Sequence, residues 1–303
     1  MIDTIVHVAL LVLLPPLLLG VINKTKAAFA GRVGAPFVQP YRDIVKLLRK
    51  GMVVSRTTTW VFRAAPVVTL AAVLAAGVLV PAGYAPALVS FAGDFVLFAY
   101  LLGLARFMTT SAALDTGSAF EGMGASREVS FAVLTEPAMF FGFLVLARLS
   151  GSLSLGGMLR SGGEGAWPAG SAAPLVMTAI GLFVVLLAEN SRIPVDDPTT
   201  HLELTMIHEV MVLDHGGPLF GLIEYASALK FFVLGSMLTG MALPWRFGTP
   251  WLDWPLFVAG MLVLSIVVGA VESLMARLRM SRVPALLIAA ILLCGSAFIM
   301  LAR

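Results

Sequence analysis

Most of the residues that could carry out chemistry in this chain lie in one stretch, residues 188–218, which reads AENSRIPVDDPTTHLELTMIHEVMVLDHGGP. The stretch contains six of the 17 acidic residues and three of the four histidines, although the sequence around it is strongly apolar. These residues are Glu189, Asp196, Asp197, Glu203, Glu209 and Asp214, with His201, His208 and His215. Carboxylates and imidazoles at this density can bind a metal ion, transfer protons, or line a solvated loop.

The spacing of the histidines argues against a metal site. His201, His208 and His215 are seven residues apart, so on one helix they would lie about two turns from each other, too far to share an ion. The single cysteine, Cys294, lies in a late apolar run and is predicted to be a small buried side chain. The sequence has no nucleophile triad, phosphate-binding loop, or ligand set for flavin, haem or an iron–sulfur cluster. We therefore predict no metal site, no cofactor and no catalytic residue in this chain.

The composition is that of a membrane protein. Of the 303 residues, 59% are hydrophobic and 12% are charged, and that charged share is about half that of a soluble domain. Long apolar runs favour an all-α polytopic membrane protein over the alternative, a large soluble helical domain. The isoelectric point near 9.2 does not indicate nucleic-acid binding, because the basic residues cluster beside apolar spans. One membrane domain, 1–303, is predicted, with eight spans near 2–22, 62–82, 92–114, 129–149, 172–188, 218–243, 254–276 and 284–302.

The basic residues predict how the chain is oriented in the bilayer. Nine of the 20 Lys and Arg residues lie between Lys24 and Arg63, and five more lie in later loops on the same side. The opposite side has four. By the positive-inside rule, the basic loops face the cytoplasm and both termini lie on the outer side of the membrane. The outer loop near residues 150–174 is rich in Gly and Ser and is predicted to be a plain connection.

The first cytoplasmic segment, 23–61, is predicted to contain a surface helix. Its run YRDIVKLLRK has apolar residues at Ile44, Val45, Leu47 and Leu48, which indicates a short basic amphipathic helix at the membrane interface. Such a helix either anchors the chain among lipid headgroups or forms a docking platform for a soluble partner.

The second cytoplasmic segment, 189–217, is predicted to combine a rigid turn with a helix. Pro194 and Pro198 make its first part irregular, and Thr199 or Thr200 can cap a helix that extends to about Val212. That helix would be apolar on two faces, which a free solvated loop does not require. We therefore expect it to be buried between the membrane domain and a partner.

Ionisable residues inside the spans are functional by default, because an isolated charge in hydrocarbon is costly. Glu136, Glu224 and Lys230 lie deep in the predicted spans, whereas Glu128 and Glu272 lie near span ends. Carboxylates joined by water and a lysine can form a proton relay, and the alternative is that each residue is a structural hydrogen-bonding group. Glu128 and Glu136 are about 80° apart around the helix and can face one interior, whereas Glu224 and Lys230, about 120° apart, are not expected to pair.

Three other polar residues in the spans are given no part in this relay. Asp94, at the outer start of the third span, is expected to be interfacial. Arg106 lies in the middle of that span and is assigned no role. His7, in the first span, is expected to be incidental.

Four motifs resemble those of a known family of membrane subunits. They are GRVGAPFVQPYRDIVKLLRK, LDTGSAFEGMGASREVSFAVLTEP, AENSRIPVDDPTTHLELTMIHE and LIEYASALK. In these motifs, and over nearly its whole length, the chain resembles subunit 1 of respiratory complex I. It looks closer still to the membrane subunit of formate hydrogenlyase and other group 4 nickel–iron hydrogenases. The resemblance implies a non-catalytic subunit that anchors a soluble redox arm and couples its chemistry to proton movement.

The resemblance also implies roles for individual residues. Family motifs match Gln39, Pro40, Asp43 and Lys46 in the surface helix, and further positions in the fourth span, the loop and the sixth span. Those further matches are Glu128, Glu189, Arg192, Pro194, Asp196, Glu203, Glu224 and Tyr225. We predict a proton path of Glu128, Glu136, Glu189, Asp196, Glu203, Glu209, Glu224, Lys230 and Glu272. We predict a docking surface of Gln39, Asp43, Lys46, Arg192, Pro194, His201 and His208.

The sequence departs from complex I at residues 199–203, which read TTHLE where complex I has an acidic EAESE run. The departure suggests that His201 titrates in place of a family carboxylate, and unchanged proton coupling in a His201→Gln variant would contradict this hypothesis. The resemblance places nickel–iron and iron–sulfur centres in partner subunits: a hydrogenase-like large subunit and an iron–sulfur small subunit on the cytoplasmic side. Antiporter-like membrane subunits would lie beside the chain. The alternatives are a quinone-chamber subunit of a complex I-like enzyme and a stand-alone ion transporter, which the lack of an internal repeat disfavours.

Overall fold

The computed structural model describes residues 2–83, 86–164, 167–168, 170–197, 206–242 and 249–302. Helices joined by turns run through these residues in the order α1 (Ile2–Phe29), α2 (Gln39–Leu48), α3 (Trp60–Leu79), α4 (Asp94–Asp115), α5 (Ala119–Ser150), α6 (Leu155–Glu164), α7 (Ala172–Glu189), α8 (His208–Met211), α9 (Gly217–Ala242), α10 (Pro250–Leu274) and α11 (Val283–Ala302). A short 3₁₀ turn, Met280–Arg282, precedes α11. Among the described residues, eight helices are long and apolar enough to cross a membrane, namely α1, α3, α4, α5, α7, α9, α10 and α11. The predicted all-α polytopic fold is therefore confirmed.

The apolar core forms where the spanning helices meet. α9 lies at its centre, with Phe231, Phe232 and Val233 all buried, and it contacts α1, α3, α7 and α10. Around it, α3 packs against α4, α1 against α10, and α11 against α5 and α7. Each apolar run folds as a helix because only helical hydrogen bonding satisfies the backbone polar groups of a single span in lipid.

Helix α1 is joined to its neighbours at the point where prolines interrupt its hydrogen bonding. Pro16 has no amide hydrogen to donate to the carbonyl of Val12, four residues earlier. The hydroxyl of Tyr225 from α9 donates to that carbonyl instead, at 2.9 Å. The hydroxyl of Tyr41 from α2 donates to the following carbonyl, that of Leu13. Two side-chain donors from other helices therefore bind the backbone of α1 at this level.

Helix α2 is the predicted amphipathic surface helix. It lies against α1 and α9, and none of its residues is fully buried. A close approach at Gly20 of α1 positions it, since a Cβ atom there would lie 2.0 Å from the carbonyl oxygen of Phe37. Val45 and Leu48 remain 46% exposed, so part of the apolar face of α2 is left for lipid or a partner.

Helix α5 begins at Ala119, well before the predicted start of the fourth span near residue 129. The run GMGASRE is typical of a loop by composition, but packing keeps it helical. A Cβ atom at Gly124 would lie 2.4 Å from a methyl carbon of Val210, so the glycine allows α5 to contact α8 directly. Glu128 therefore lies in the interior of a long helix rather than at its start.

The connection between α5 and α7 is not the plain loop that its composition predicts. It contains helix α6, whose Leu155, Met158 and Leu159 are buried in the main apolar core. Asp94, expected to be interfacial, is fully buried and accepts a hydrogen bond from the amide of Leu155 at 2.6 Å. The carboxylate of Asp94 therefore fixes the start of α6 against α4.

Two residues of the apolar interior also have defined surroundings. His7, expected to be incidental, is fully buried, and its ring nitrogens lie 3.3 Å from the carbonyl oxygens of Gly77 and Pro86. Cys294 is fully buried, as predicted, and packs against Gly181, where a Cβ atom would lie 2.4 Å from the sulfur.

The helix predicted in the second cytoplasmic segment is shorter than expected. Its predicted caps, Thr199 and Thr200, lie outside the described residues. In the part that is described, Met206 and Ile207 are not helical, and α8 comprises only His208–Met211. The start of α8 is set instead by a buried carboxylate of the same loop, that of Asp196.

Candidate functional site

Arg106, in the middle of α4, is the centre of a buried group of charges. Its guanidinium donates to Glu136 at 2.6 Å and to Glu189, and its Nε lies 3.5 Å from Glu128. Lys230 lies 3.7 Å from the second carboxylate oxygen of Glu189. We call these five residues the Arg106 cluster. Four spanning helices contribute to it, α4, α5, α7 and α9, so its geometry depends on the whole bundle.

The Arg106 cluster has three carboxylates and two cations. With every group ionised it has a net charge of −1, and one bound proton makes it neutral. The side chains of Arg106, Glu128 and Glu189 are only 10%, 15% and 5% exposed, so water screens this charge poorly. A net charge in a low-dielectric interior is costly. The cluster is therefore suited to accept and release a proton.

Two small cavities lie beside the cluster. The larger, of about 40 Å³, is lined by Arg106, Glu128, His208 and Lys230 among others, and it has room for water but not for an organic ligand. The smaller, of about 10 Å³, lies between Glu128 and Asp196 and is about the size of one water molecule. Together the cavities connect the cluster to the loop that follows α7.

Asp196 fixes that loop. Its carboxylate accepts the amides of Ile207 and His208, both at 3.1 Å, and it pairs with Arg277 at 2.8 Å. Burial raises the pKa of Asp196, although the amides and Arg277 act in the opposite direction. The loop is also held from α5, where Arg127 donates to the carbonyl oxygen of Met206 at 2.8 Å.

His208 and Glu209 are adjacent loop residues with opposite titration behaviour. Burial, together with Lys230 and Arg192, lowers the pKa of His208 to about 4, so its imidazole is neutral at pH 7. Burial, together with Glu224 and Asp196, raises the pKa of Glu209 to about 7. A neutral imidazole can both donate and accept a hydrogen bond, and a carboxylate with this pKa changes charge near physiological pH. His208 lines the larger of the two cavities, so its imidazole can exchange hydrogen bonds with water there. Glu209, the next residue in the chain, adds a group that titrates near physiological pH beside it.

A second buried ion group surrounds Glu272. Its side chain is fully buried and lies 2.9 Å from Lys26 and 3.4 Å from Arg192. Arg192, predicted to face a partner, is itself buried, and so is Pro194, whose carbonyl oxygen accepts the amide of Leu278 at 3.0 Å. These two residues hold the loop against the membrane helices. They do not contribute to an exposed docking surface in this chain.

Comparison with known proteins identifies the same family as the sequence motifs do. A family model described as NADH dehydrogenase matches residues 2–303. The chain belongs to the NADH dehydrogenase family. It is 31% identical over 281 residues to formate hydrogenlyase subunit 4 of Escherichia coli, and this alignment covers 89% of this chain and 88% of that protein. It is 30% identical over 235 residues to hydrogenase-4 component C of Escherichia coli, which covers 78% and 73%.

More distant similarity extends to a respiratory enzyme and to a solved complex. A subunit of the NADH-quinone oxidoreductase of Magnetococcus marinus is 30% identical over 215 residues, 68% of this chain and 60% of that protein. A chain in the structure of the membrane-bound sulfane sulfur reductase, an archaeal respiratory membrane complex, superposes with a TM-score of 0.82. That match covers 99% of this chain and 98% of the other at 19% identity, and it shows a shared fold. The resemblance inferred from the motifs is therefore confirmed.

In this NADH dehydrogenase family member, the predicted path residues that the structure describes fall into four places. Glu128, Glu136, Glu189 and Lys230 meet in the Arg106 cluster, and Asp196 and Glu209 lie in the adjoining loop. Glu224 does not pair with Lys230; it lines a separate cavity of about 200 Å³ between α1, α2 and α9, together with Asp43. Glu272 lies in its own ion group. His201 and Glu203 lie outside the described residues. Within the described part of the chain, no three His, Cys, Asp or Glu residues are grouped as a metal site would require.

The sequence alone assigns no role to Arg106, although this residue contacts three carboxylates of the candidate site. The available signal was a lone basic residue in the middle of an apolar span, which needs a partner on another helix. The predicted docking residues Gln39, Asp43 and Lys46 are placed differently. All three lie on α2, where the amide of Gln39 donates to Asp43 at 2.8 Å and the side chains of Asp43 and Lys46 are exposed.

Replacing Glu209 by glutamine is expected to stabilise the protein at high pH. Ordinary glutamates have a pKa near 4.5, and the folded state raises that of Glu209 to about 7. Ionisation of Glu209 therefore disfavours the folded state increasingly as pH rises from about 4.5, and fully above pH 7, by up to about 3 kcal/mol. Thermal unfolding in detergent should show Glu209→Gln similar to the native protein at pH 5 and more stable at pH 8. The exposed Asp214→Asn in the same loop is the control, and an equal shift in both variants would contradict the assignment.

Proposed function

We propose that this chain is the membrane anchor and proton-coupling subunit of a redox complex related to formate hydrogenlyase and the group 4 hydrogenases. In this proposal it lies in the cytoplasmic membrane of a prokaryote, with both termini on the outer side. A hydrogenase-like large subunit and an iron–sulfur small subunit dock on its cytoplasmic face, and antiporter-like subunits lie beside it in the membrane. The similarity to the two Escherichia coli relatives supports this choice of complex.

The observation that carries the proposal is the connection between the Arg106 cluster and the loop. The cluster lies about 14 Å along α4 from Asp115 at the helix's cytoplasmic end, so it is near mid-membrane. Water-sized cavities lead from it to Asp196 and His208, and Glu209 follows directly in the chain. A docked redox subunit that moved this loop would change the charge and hydration of the cluster. In this way redox chemistry outside the membrane would be linked to a proton inside it.

A surface for the soluble arm is provided by α2 and the segments around it. The segment from Lys24 to Arg63 holds nine basic residues, and Val33 and Val53 are 86% and 95% exposed. Exposed apolar side chains among basic residues are typical of a protein-binding surface. We therefore assign the docking of the partner to this segment, and with it Gln39, Asp43 and Lys46.

The cavity between α1, α2 and α9 does not support the quinone-chamber alternative. The cavity lined by Leu19, Pro40, Asp43, Phe220 and Glu224 measures about 200 Å³, below the 300–1,000 Å³ typical of ligand pockets. It also has two carboxylates, which do not suit an uncharged ring system. The residues around this cavity therefore do not fit a quinone headgroup, and no step of the proposed mechanism passes through one.

The proposal can be tested with the purified complex in sealed vesicles. Lys230→Met is expected to retain the redox activity of the complex while losing most of the proton movement that accompanies it. Glu136→Gln and Glu224→Gln should each reduce the ratio of proton movement to redox activity. Arg148→Met, on the exposed outer end of α5, should leave that ratio unchanged. If all three relay variants leave the ratio unchanged, the relay is wrong.

Two further measurements separate this proposal from its alternatives. A stand-alone transporter would purify in mild detergent alone or as copies of itself, whereas an anchor subunit should retain its soluble partners. Activity with hydrogen or a low-potential donor is expected, and reduction of a quinone analogue would favour the complex I-like alternative.

A further inference from the structure

The face of α5 that points away from the bundle has one polar residue that does not suit lipid. Val129, Val133 and Glu136 share this face, because they are spaced four and three residues apart. Val129 and Val133 are 50% and 65% exposed, and the side chain of Glu136 is 47% exposed. Phe107, which follows Arg106 on α4, is also 64% exposed. We call Val129, Val133 and Glu136 the Glu136 face.

The depth of Glu136 excludes contact with the aqueous phase in a bilayer. It lies about 21 Å along α5 from the outer end of the helix at Ser150 and about 25 Å from the inner end at Ala119. The hydrocarbon core is about 30 Å thick, and a glutamate side chain is too short to reach either surface from its middle. The exposed part of Glu136 must therefore meet either lipid tails or another protein.

The chain does not satisfy this carboxylate fully. Arg106 donates to Oε1 of Glu136, but it also donates to Glu189 and lies beside Glu128. Among the residues that the structure describes, Oε2 of Glu136 has no hydrogen bond. A half-exposed carboxylate oxygen without a donor is unstable against hydrocarbon, and the Arg106 cluster as a whole lacks one positive charge.

We propose that the Glu136 face is the contact surface for a transmembrane helix of another subunit, and that this helix presents a lysine to Glu136. A lysine ammonium supplies the donor that Oε2 lacks, and it balances the net charge of −1 that the Arg106 cluster has when it holds no proton. The neighbouring valines provide the apolar contact that a packed helix requires. The inference deepens the proposed function, because it gives the site at which the Arg106 cluster meets the next membrane subunit.

Site-specific crosslinking in the intact purified complex tests this assignment. A benzoylphenylalanine at Val133 should, on irradiation, form a covalent bond to a transmembrane peptide of a co-purifying subunit, identified by mass spectrometry, with a lysine within one helical turn. The same group at Leu292 of α11, also 65% exposed, reports the adducts formed by a membrane-facing position away from this face. Adducts at Val133 with lipid or detergent only, or with a peptide that has no lysine, would overturn the proposal.

A second measurement does not depend on the crosslink. Glu136→Leu should weaken retention of that subunit during purification, because the partner's ammonium loses its counter-ion, whereas Leu292→Ala on α11 should not. Unchanged retention in Glu136→Leu would also overturn the proposal. Neither readout uses proton movement. A complex that shows the crosslink but moves no protons would contradict the proposed function and leave this interface standing.

Discussion

Replacing Arg106 by glutamine is expected to destabilise the detergent-solubilised chain by about 3–5 kcal/mol, the range typical of removing one partner from a buried ion pair. Arg106 lies within 3.5 Å of Glu128 and also contacts Glu136 and Glu189, and its side chain is only 10% exposed. Without the guanidinium, Lys230 is the one remaining cation of the cluster. Negative charge is then left uncompensated at mid-membrane, and the helices that contribute the three carboxylates separate more easily.

The measurement is thermal or denaturant unfolding of the purified variant in detergent. Arg148→Gln is the matched control, because it makes the same change at an exposed position near the end of α5 at Ser150, and it should stay within about 0.5 kcal/mol of the native protein. Adding Glu189→Gln to Arg106→Gln should restore part of the lost stability, since it removes the unpaired charge. Equal unfolding of the Arg106 and Arg148 variants would show that the cluster does not hold the bundle together.

Asp196→Ala is expected to release the loop between α7 and α9 and to cost about 3 kcal/mol or more. The carboxylate binds the amides of Ile207 and His208 at 3.1 Å and pairs with Arg277 at 2.8 Å, and hydrogen bonds to a charged group contribute about 1.5–3 kcal/mol each. Alanine leaves these donors unsatisfied in a buried place. Asp196→Asn should be milder, because its amide oxygen still accepts.

Hydrogen exchange at the amides of residues 206–212 reports this release directly. These amides should exchange much faster in Asp196→Ala, while those in the middle of α9 should not change. The exposed Asp214→Ala in the same loop should leave both regions as they are. Protection of residues 206–212 that survives in Asp196→Ala would mean that the packing of Val210 and Met211, with the hydrogen bond from Arg127, holds the loop without Asp196.

The sequence was sufficient for the fold because apolar length is a strong signal in a membrane protein. Each span must satisfy its own backbone hydrogen bonds, so a long apolar run has one stable conformation. The helix ends were harder to place. Gly124 lies in a run typical of a loop, and its close contact with Val210 of α8 helps to explain why α5 begins as early as Ala119. Helix α6 was missed for a similar reason, since Asp94, far away in the sequence, fixes its start.

The site could be predicted in part. Intramembrane charge identified Glu136 and Lys230, and the family motifs identified Glu128 and Glu189, but spacing along one helix does not reveal which helices face each other. The sequence therefore shows that Arg106 is an intramembrane charge, but it does not show that its partners lie on α5 and α7. Arg192 illustrates the same limit, because a loop arginine next to prolines is typical of a surface until Glu272 of α10 is placed beside it.

The two prolines of α1 have a mechanical consequence. Near the middle of α1, the carbonyl of Val12 accepts a hydrogen bond from Tyr225 of α9, and near the end of α1 at Phe29, Lys26 pairs with Glu272 of α10. α1 is thus bonded at two levels to two different helices, α9 and α10, and connects them. When α9 shifts along its axis, α1 is expected to shift with it and to pull on Glu272. Glu272 also pairs with Arg192 in the loop between α7 and α9. A displacement of α9 would therefore reach this loop through the packed helices α1 and α10, in addition to the electrostatic effect of moving Lys230.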